Sequence, residues 1–237
     1  YTSTNVAGYV SLDKTFFKKL TINAGARYEY NKLTSPEMVD GIAIPNGETS
    51  ESKPVFKLGA NFLLTRYSSI RASWGQGYRY PTVAEKFIKT TAGAIRVSPN
   101  PNLESETGYS AEIGIKQGLK IANWKGFVDV AFFRSDYDNM MEFVLQNISK
   151  GFQSFNIGDT RIQGYEIGIQ GAGNIGNVTI RTLCGYTNIE PTYRNFSEID
   201  TFKSTVTYNV LKYRMKHSFR GDIGLVYKGF EVGTYYQ

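Results

Sequence analysis

Few residues in this chain are equipped for chemistry. His217 is the single histidine and Cys184 the single cysteine. A metal or haem site on His217 would need partners, and the residue sits near a strand start, where a solvated or interior-facing role suits it better. Met140-Met141 offers two soft thioethers, set against the plainer reading that they face lipid or loop. Gly171-x-Gly173-x-x-Gly176 matches a dinucleotide fingerprint letter for letter. A β-branched strand follows it rather than a helix, so no helix N-terminus is available to a phosphate. No Ser/His/Asp, Cys/His or paired-carboxylate set stands out. The expectation is therefore no catalytic residue, no metal, no cofactor and no enzyme. A lone cysteine also leaves no internal disulfide.

What the chain has in quantity is alternation. In Ile162-Gln163-Gly164-Tyr165-Glu166-Ile167-Gly168-Ile169-Gln170, Tyr165, Ile167 and Ile169 share one face of an extended strand. Gly164, Glu166, Gly168 and Gln170 share the other, because strand side chains alternate with period two. A Gly-rich connection over 171–177 leads to Val178 and Ile180 opposed by Thr179 and Arg181. This hairpin is the repeating unit. Leu20, Ile22, Ala24, Ala26, Tyr28 and Tyr30 oppose Asn23, Arg27 and Glu29; Phe56, Leu58, Ala60 and Phe62 oppose Lys57 and Asn61. Ile113 and Ile115 oppose Glu112 and Lys116; Val128, Val130 and Phe132 oppose Asp129. The pattern predicts one strand over 124–144 with a bulge at Arg134–Asp138, where alternation blurs. Thr82–Thr90 reads as a short helix with Thr82 as cap and Glu85 completing a capping box.

Composition narrows the class. The chain of 237 residues is 41% hydrophobic and 14% aromatic, with 24 Gly, 17 Tyr and 15 Phe. That suits strands and turns. No apolar run approaches the ~18–20 residues of a spanning helix, but spanning by alternating strands stays open. The net charge is +6. Lys and Arg are scattered among Asp and Glu with no zinc-ligand spacing, so nucleic acid is not expected as a partner; an anionic lipid surface accounts for the charge as well.

The connections then set the architecture. Short turns near residues 15–18, 66–68, 121–123, 171–177 and 228–229 alternate with long connections over 33–52, 79–105, 146–152 and 190–213. In sequential antiparallel strands, successive turns lie at opposite ends, so short turns gather at one end and long loops at the other. About ten strands, most near the ~9–11 residues that cross a bilayer at a tilt, predict an all-β, antiparallel, up-and-down transmembrane β-barrel. Aromatics near strand ends, such as Phe16-Phe17, Tyr28, Tyr30 and Tyr235-Tyr236, match interfacial girdles. The alternative is a soluble or surface β-sandwich that binds carbohydrate or protein.

Four stretches resemble one family. Gly75-Gln76-Gly77-Tyr78-Arg79-Tyr80-Pro81-Thr82-Val83-Ala84-Glu85, Asn100-Pro101-Asn102-Leu103-Glu104-Ser105-Glu106, Asn156-Ile157-Gly158 through Gly164-Tyr165-Glu166, and Leu211 through His217 are similar, in this order, to blocks of TonB-dependent outer-membrane receptors. Ser105 and Met215 stand where proline is common. The resemblance implies a C-terminal half, residues 1–237, of a barrel of about 22 strands, in a bacterial outer membrane, with plug and closing strands absent. It implies import of a scarce bulky nutrient such as a ferric siderophore, haem or cobalamin. The partners implied are TonB acting through the plug, that nutrient, and outer-membrane lipid with lipopolysaccharide.

Two residue sets follow. The lumen-facing set is Arg27, Glu29, Lys57, Arg71, Glu112, Lys116, Asp129, Glu166, Arg181, Arg220, Asp222 and Glu231. Mixed signs suit mutual pairing and contact with a plug. Ligand candidates at the long-loop end are Tyr78, Arg79, Tyr80, Phe152, Phe155, Tyr193 and Arg194. Aromatics beside Arg suit an anionic chelate or a flat macrocycle; the alternative is that they pack the loops or the girdle.

Overall fold

The computed structural model describes residues 1–93, 95–147, 151–196, 208–211 and 214–237. In chain order the elements are β1 (Thr2–Phe16), β2 (Leu20–Thr34), β3 (Met38–Val39), β4 (Ile42–Ala43), β5 (Glu48–Thr65), β6 (Ser68–Arg79), α1 (Val83–Phe87), β7 (Thr90–Ala92) and β8 (Ile95–Val97). Then come β9 (Glu106–Ile121), β10 (Trp124–Asp138), β11 (Met141–Asn147), β12 (Gly151–Asn156), β13 (Thr160–Ile175), β14 (Val178–Tyr193), β15 (His217–Tyr227) and β16 (Phe230–Tyr236). Among the described residues no helix is long and apolar enough to cross a membrane.

Ten of these strands make one antiparallel sheet, in the order β1-β2-β5-β6-β9-β10-β13-β14-β15-β16. Each long strand lies beside the next in sequence, the up-and-down arrangement that the alternating connections predict. The sheet is a partial barrel with β1 and β16 at its edges.

Register decides which side chains share a face, because directly opposed residues project to the same side. Ile70, Ile115, Val130 and Ile167 form one continuous row across β6, β9, β10 and β13. Ala72, Ile113, Phe132 and Tyr165 form the next. This apolar face is bare: Leu58 is 53%, Ile113 56% and Phe132 59% exposed. Among the described residues no second layer covers it, so the sandwich alternative does not hold.

The five short turns have two or three residues. At Lys228-Gly229 both residues have positive φ, 46° and 86°, the pattern of a type I′ hairpin turn. The Gly-rich connection expected over 171–177 is shorter than it reads. β13 continues to Ile175 and only Gly176-Asn177 turns. Gly171 and Gly173 lie inside the strand because Trp124 occupies the space above them. A Cβ on Gly126 or Gly171 would collide with the indole, and one on Gly173 with the Trp124 backbone.

The other end is elaborate. The expected 124–144 strand divides: β10 ends at Asp138, and β11–β12 is a separate hairpin. The connection there is therefore 139–159, longer than 146–152. The predicted bulge is absent, since β10 keeps unbroken register with β9 from Arg134 to Asp138 and with β13 from Arg134 to Tyr137. Alternation blurs there because both faces turn polar, not because the ladder slips. α1 is shorter than Thr82–Thr90, but its capping box is present: Thr82 Oγ1 accepts from the Glu85 N–H, and Glu85 accepts from the Thr82 N–H.

Packing is concentrated at this end. Leu33, Val39, Ile44 and Phe87 form one buried cluster with Tyr80 and Val83 against it. Met140, Ile157, Tyr193 and Leu211 form a second, flanked by Tyr137, Ile162 and Phe196. Met140 and Met141 are buried in the loops, with the Thr160 hydroxyl 3.1 Å from the Met140 sulfur.

Candidate functional site: the polar face and the long-loop end

All twelve charged residues read from the alternation share the face opposite the apolar rows. Arg71 is the hub of the largest group. Its Nε lies 2.8 Å from Glu112 and its Nη1 2.7 Å from Asp129. Gly114, directly opposite, makes this possible, because a Cβ there would meet the Arg71 guanidinium. Arg27 pairs with Glu29 at 3.1 Å, and Asn5 donates to Glu29 at 2.6 Å. Arg181 pairs with Glu231 at 2.8 Å. The Lys116 ammonium stands 3.5 Å above the Phe127 ring, and Thr187 donates to Glu166. Lys57 lies over Gly25 and Gly75. Arg220 and Asp222 lie exposed on the same face. Exposed pairs of this kind add little stability each; together they make a wall that is wettable without being strongly charged.

The seven ligand candidates all lie at the long-loop end, in different surroundings. Arg79 is ion-paired to Glu85, the carboxylate that also caps α1. Tyr80 packs on the Phe87 cluster and donates to Thr49 Oγ1 at 3.0 Å; burial pushes its phenol up from the usual range. The Tyr78 hydroxyl accepts from Asn31 at 3.3 Å. Tyr193 is 4% exposed in the second cluster. Arg194 bonds Asp138 and Asp159 and donates to the Tyr137 carbonyl, tying the end of β14 to the end of β10.

Phe152 and Phe155 sit elsewhere, on a small sheet of order β11-β12-β8-β7 built from two separate connections. Phe152 bridges to Val97 in parallel pairing, and the Ser98 N–H donates to the Phe152 carbonyl at 2.9 Å. Phe152 stacks on Phe143 with centroids 5.3 Å apart. Phe143 and Leu145 beside it are 56% and 57% exposed. Phe155 is on the opposite face of β12, across from Glu142.

Two concavities lie nearby. One, of about 380 Å³, is floored by Gly75, Gly77 and Gly108 and rimmed by Arg79, Glu106 and Tyr137. The other, of about 300 Å³, lies where three loops meet and includes Asp40, Lys89, Arg96 and Gln153. Among the described residues no three His, Cys, Asp or Glu side chains are grouped to hold a metal.

Two features escape the sequence reading. Lys86 is 7% exposed in α1, with Nζ donating to the Leu103 carbonyl at 2.7 Å. Burial lowers its pKa, while Glu51 and Glu104 pull it back up. Asp136 is 3% exposed between Arg134 and Arg161, with the Tyr109 hydroxyl 3.0 Å away. The signal for the second was present: Arg134 and Asp136 continue the parity of Val130 and Phe132, so they had to emerge on the apolar side.

Comparison with known proteins places this geometry. The chain aligns over 112 residues, at 27% identity, with the vitamin B12 transporter BtuB of Vibrio vulnificus, a match covering 47% of this chain and 16% of that protein. It aligns over 138 residues, at 25% identity, with the hemoglobin-haptoglobin utilization protein B of Neisseria meningitidis serogroup C, covering 55% and 16%. The chain thus matches only a fraction of the length of these relatives. Among solved structures, the Serratia marcescens hemophore receptor HasR superposes with a TM-score of 0.69 at 16% identity, over 98% of this chain and 43% of that one. The ferric-catecholate import receptor Fiu of E. coli superposes with a TM-score of 0.63 at 21% identity, over 98% and 34%. The family model described as TonB dependent receptor-like, beta-barrel, matches residues 1–237. An open run of ten long strands, apolar on one side and ion-paired on the other, with its loops packed at one end, is thus a barrel segment, and the chain belongs to the TonB-dependent receptor-like β-barrel family.

Proposed function

We propose that this chain is part of the wall of an energy-coupled outer-membrane importer for a scarce, bulky nutrient: a ferric siderophore, haem or cobalamin. One observation carries the reading. The uncovered face is continuously apolar across the sheet, while the other face carries paired charges and small residues. In water such a face would be a liability; against hydrocarbon it is the expected exterior. The height agrees. Trp124 to Arg134 spans ten steps of ~3.3 Å, which at a tilt of ~40° gives ~25 Å, the usual thickness of a barrel's apolar band.

The polar face then borders a hydrated interior where a plug moves under the pull of TonB. Charges that are paired with one another, as in Arg71-Glu112-Asp129, Arg27-Glu29 and Arg181-Glu231, resist tight adhesion to a moving partner because their counter-ions are already in place. At the loop end, Arg79, Tyr80, Tyr193 and Arg194 hold the loops in place. Phe152, with Phe143 and Leu145 beside it, offers the apolar contact for a large ligand, and Tyr78 and Phe155 complete the candidate set.

The test is uptake by cells with and without the full-length receptor, each in TonB-containing and TonB-deficient strains, using labelled ferric siderophore, haem and cobalamin. Uptake of one class that requires both proteins is the expected result. Equal uptake without the receptor for all three classes rejects the proposal.

A further inference from the structure

On the apolar side of the wall, just above the last aromatic row, two guanidinium groups are locked side by side. Arg134 donates from Nε at 3.2 Å and Nη2 at 2.8 Å to Asp136. Arg161 donates from Nε at 2.7 Å and Nη2 at 3.0 Å to the same carboxylate. Each arginine therefore spends the same edge, Nε with Nη2, on Asp136 and turns its Nη1 away from that carboxylate, with the Tyr109 hydroxyl also interacting with Arg134. The Asp136 side chain is 4% exposed, whereas those of Arg134 and Arg161 are 44% and 31% exposed. The carboxylate is a buried strut and the cations are the surface.

Position adds to this. Arg134 is two residues beyond Phe132 on β10, so it stands ~7 Å above it along the strand. Phe132, Tyr165 and Tyr186 form a row of tilted rings across β10, β13 and β14 with centroids 6.2 and 6.0 Å apart. Ile113 continues that row on β9, and below it lie Ile115, Val130 and Ile167. Of the other carboxylates on this face, Asp138 is paired with Arg194 and Glu190 accepts from Gln163 at 3.3 Å.

We propose that Arg134 and Arg161 form a phosphate site for the headgroup of an anionic lipid in the outer leaflet. The proposal rests on the membrane reading above. Guanidinium forks match phosphate oxygens geometrically, and an acyl chain descending from a phosphate held here lies along Ile113, Phe132 and Ile167. That apolar track favours a lipid over free phosphate. Tyr109 closes the site from β9 through its bond to Asp136.

The experiment is native mass spectrometry of the full-length protein in detergent. It would be titrated with phosphatidylglycerol, with lipid A, with phosphatidylcholine of matched chains, and with inorganic phosphate alone. Wild-type protein should retain one anionic lipid more than R134Q/R161Q does, with about tenfold weaker retention in the double variant, and phosphatidylcholine should not substitute. R181Q/R220Q, the same loss of two charges on the opposite face, should retain lipid as wild type does. R134K/R161K keeps the charge without the fork and should fall between; it also serves if the glutamine variant does not fold, as judged by heat-modified migration. Equal retention by wild type and the double variant overturns the site, and so does displacement of the lipid by millimolar inorganic phosphate. A protein that stays monodisperse without detergent would sink the membrane reading separately, before any lipid is added.

Discussion

The two ends of this sheet are built on opposite principles. At the short-turn end the chain reverses in two or three residues and buries almost nothing. At the long-loop end it folds two hydrophobic clusters, a capped helix and a second small sheet. Of the buried apolar residues, only Ala131 belongs to the middle of the wall; Leu33, Phe87, Leu103, Ile157, Tyr193 and Leu211 all lie in or beside the loops. The wall is held by backbone ladders and by whatever wets its two faces, whereas the loops carry a core of the ordinary globular kind. Stability and exposure are thus separable, and substitutions in the two regions should fail in different ways.

The largest effect should come from the loop core. Phe87→Ala removes a ring that is 2% exposed and should cost about 3–5 kcal/mol locally. The loops over 35–47 and 80–105 should become protease-sensitive while heat-modified migration of the wall persists. Ile113→Ala, on the bare face, should leave loop proteolysis unchanged; if it loosens the loops as much as Phe87→Ala does, the separation is wrong.

Next is Asp136→Ala, which strips two arginines of a common partner. A charge-assisted bond is worth about 1.5–3 kcal/mol, so the wall's unfolding midpoint in urea should fall measurably, with the loops intact. Smaller again is Gly171→Ala. The added methyl meets the Trp124 indole, and overpacking costs about 1–3 kcal/mol. In a Trp74→Phe background, the shift of Trp124 emission reports whether the ring has left its seat; unchanged emission would show that it has room elsewhere.

The smallest is a pH effect at Lys86. Its folded pKa is lowered by burial, so the unfolded loop, with a pKa near ~10.4, holds the proton more tightly. Stability gained from the neutral amine is complete above ~10.4 and is lost as pH falls through the depressed value. Loop proteolysis, normalised to Lys86→Met, should therefore slow as pH rises toward 10. A flat ratio removes the argument.

Much of the wall was legible in the sequence because one physical rule governs it. Where one side of a sheet is apolar and the other polar, side chains alternate with period two, and Arg71, Glu112, Asp129 and Glu166 could be assigned to one face by parity alone. The rule stops where the apolar face stops. Above Phe132 both faces are polar, so the continuation of β10 to Asp138 looked like a bulge. Beyond it the first residues of β11, Met141 to Val144, were absorbed into that strand, and the rest of the hairpin was not seen. Gly171 and Gly173 misled for a related reason: glycine was read as a turn former, when Gly171 leaves room for the Trp124 ring and Gly173 for the Trp124 backbone. The capping box of α1 was legible because its partners are three residues apart. The buried amine of Lys86 was not, because its acceptor, Leu103, comes from the far side of the same loop.

One consequence follows from the single parallel bridge between Phe152 and Val97. Two connections that leave the wall at different strands are zipped edge to edge, so neither swings alone. Whatever draws 139–159 inward carries 80–105 with it, and through Arg79 and Glu85 that pull reaches the rim of β6. The pair behaves as a double door with more than one latch. Gln153 also donates to the Pro99 carbonyl, Asn100 to the Ser154 carbonyl and Asn156 to the Glu104 carbonyl, so Val97→Pro alone should leave the two connections joined.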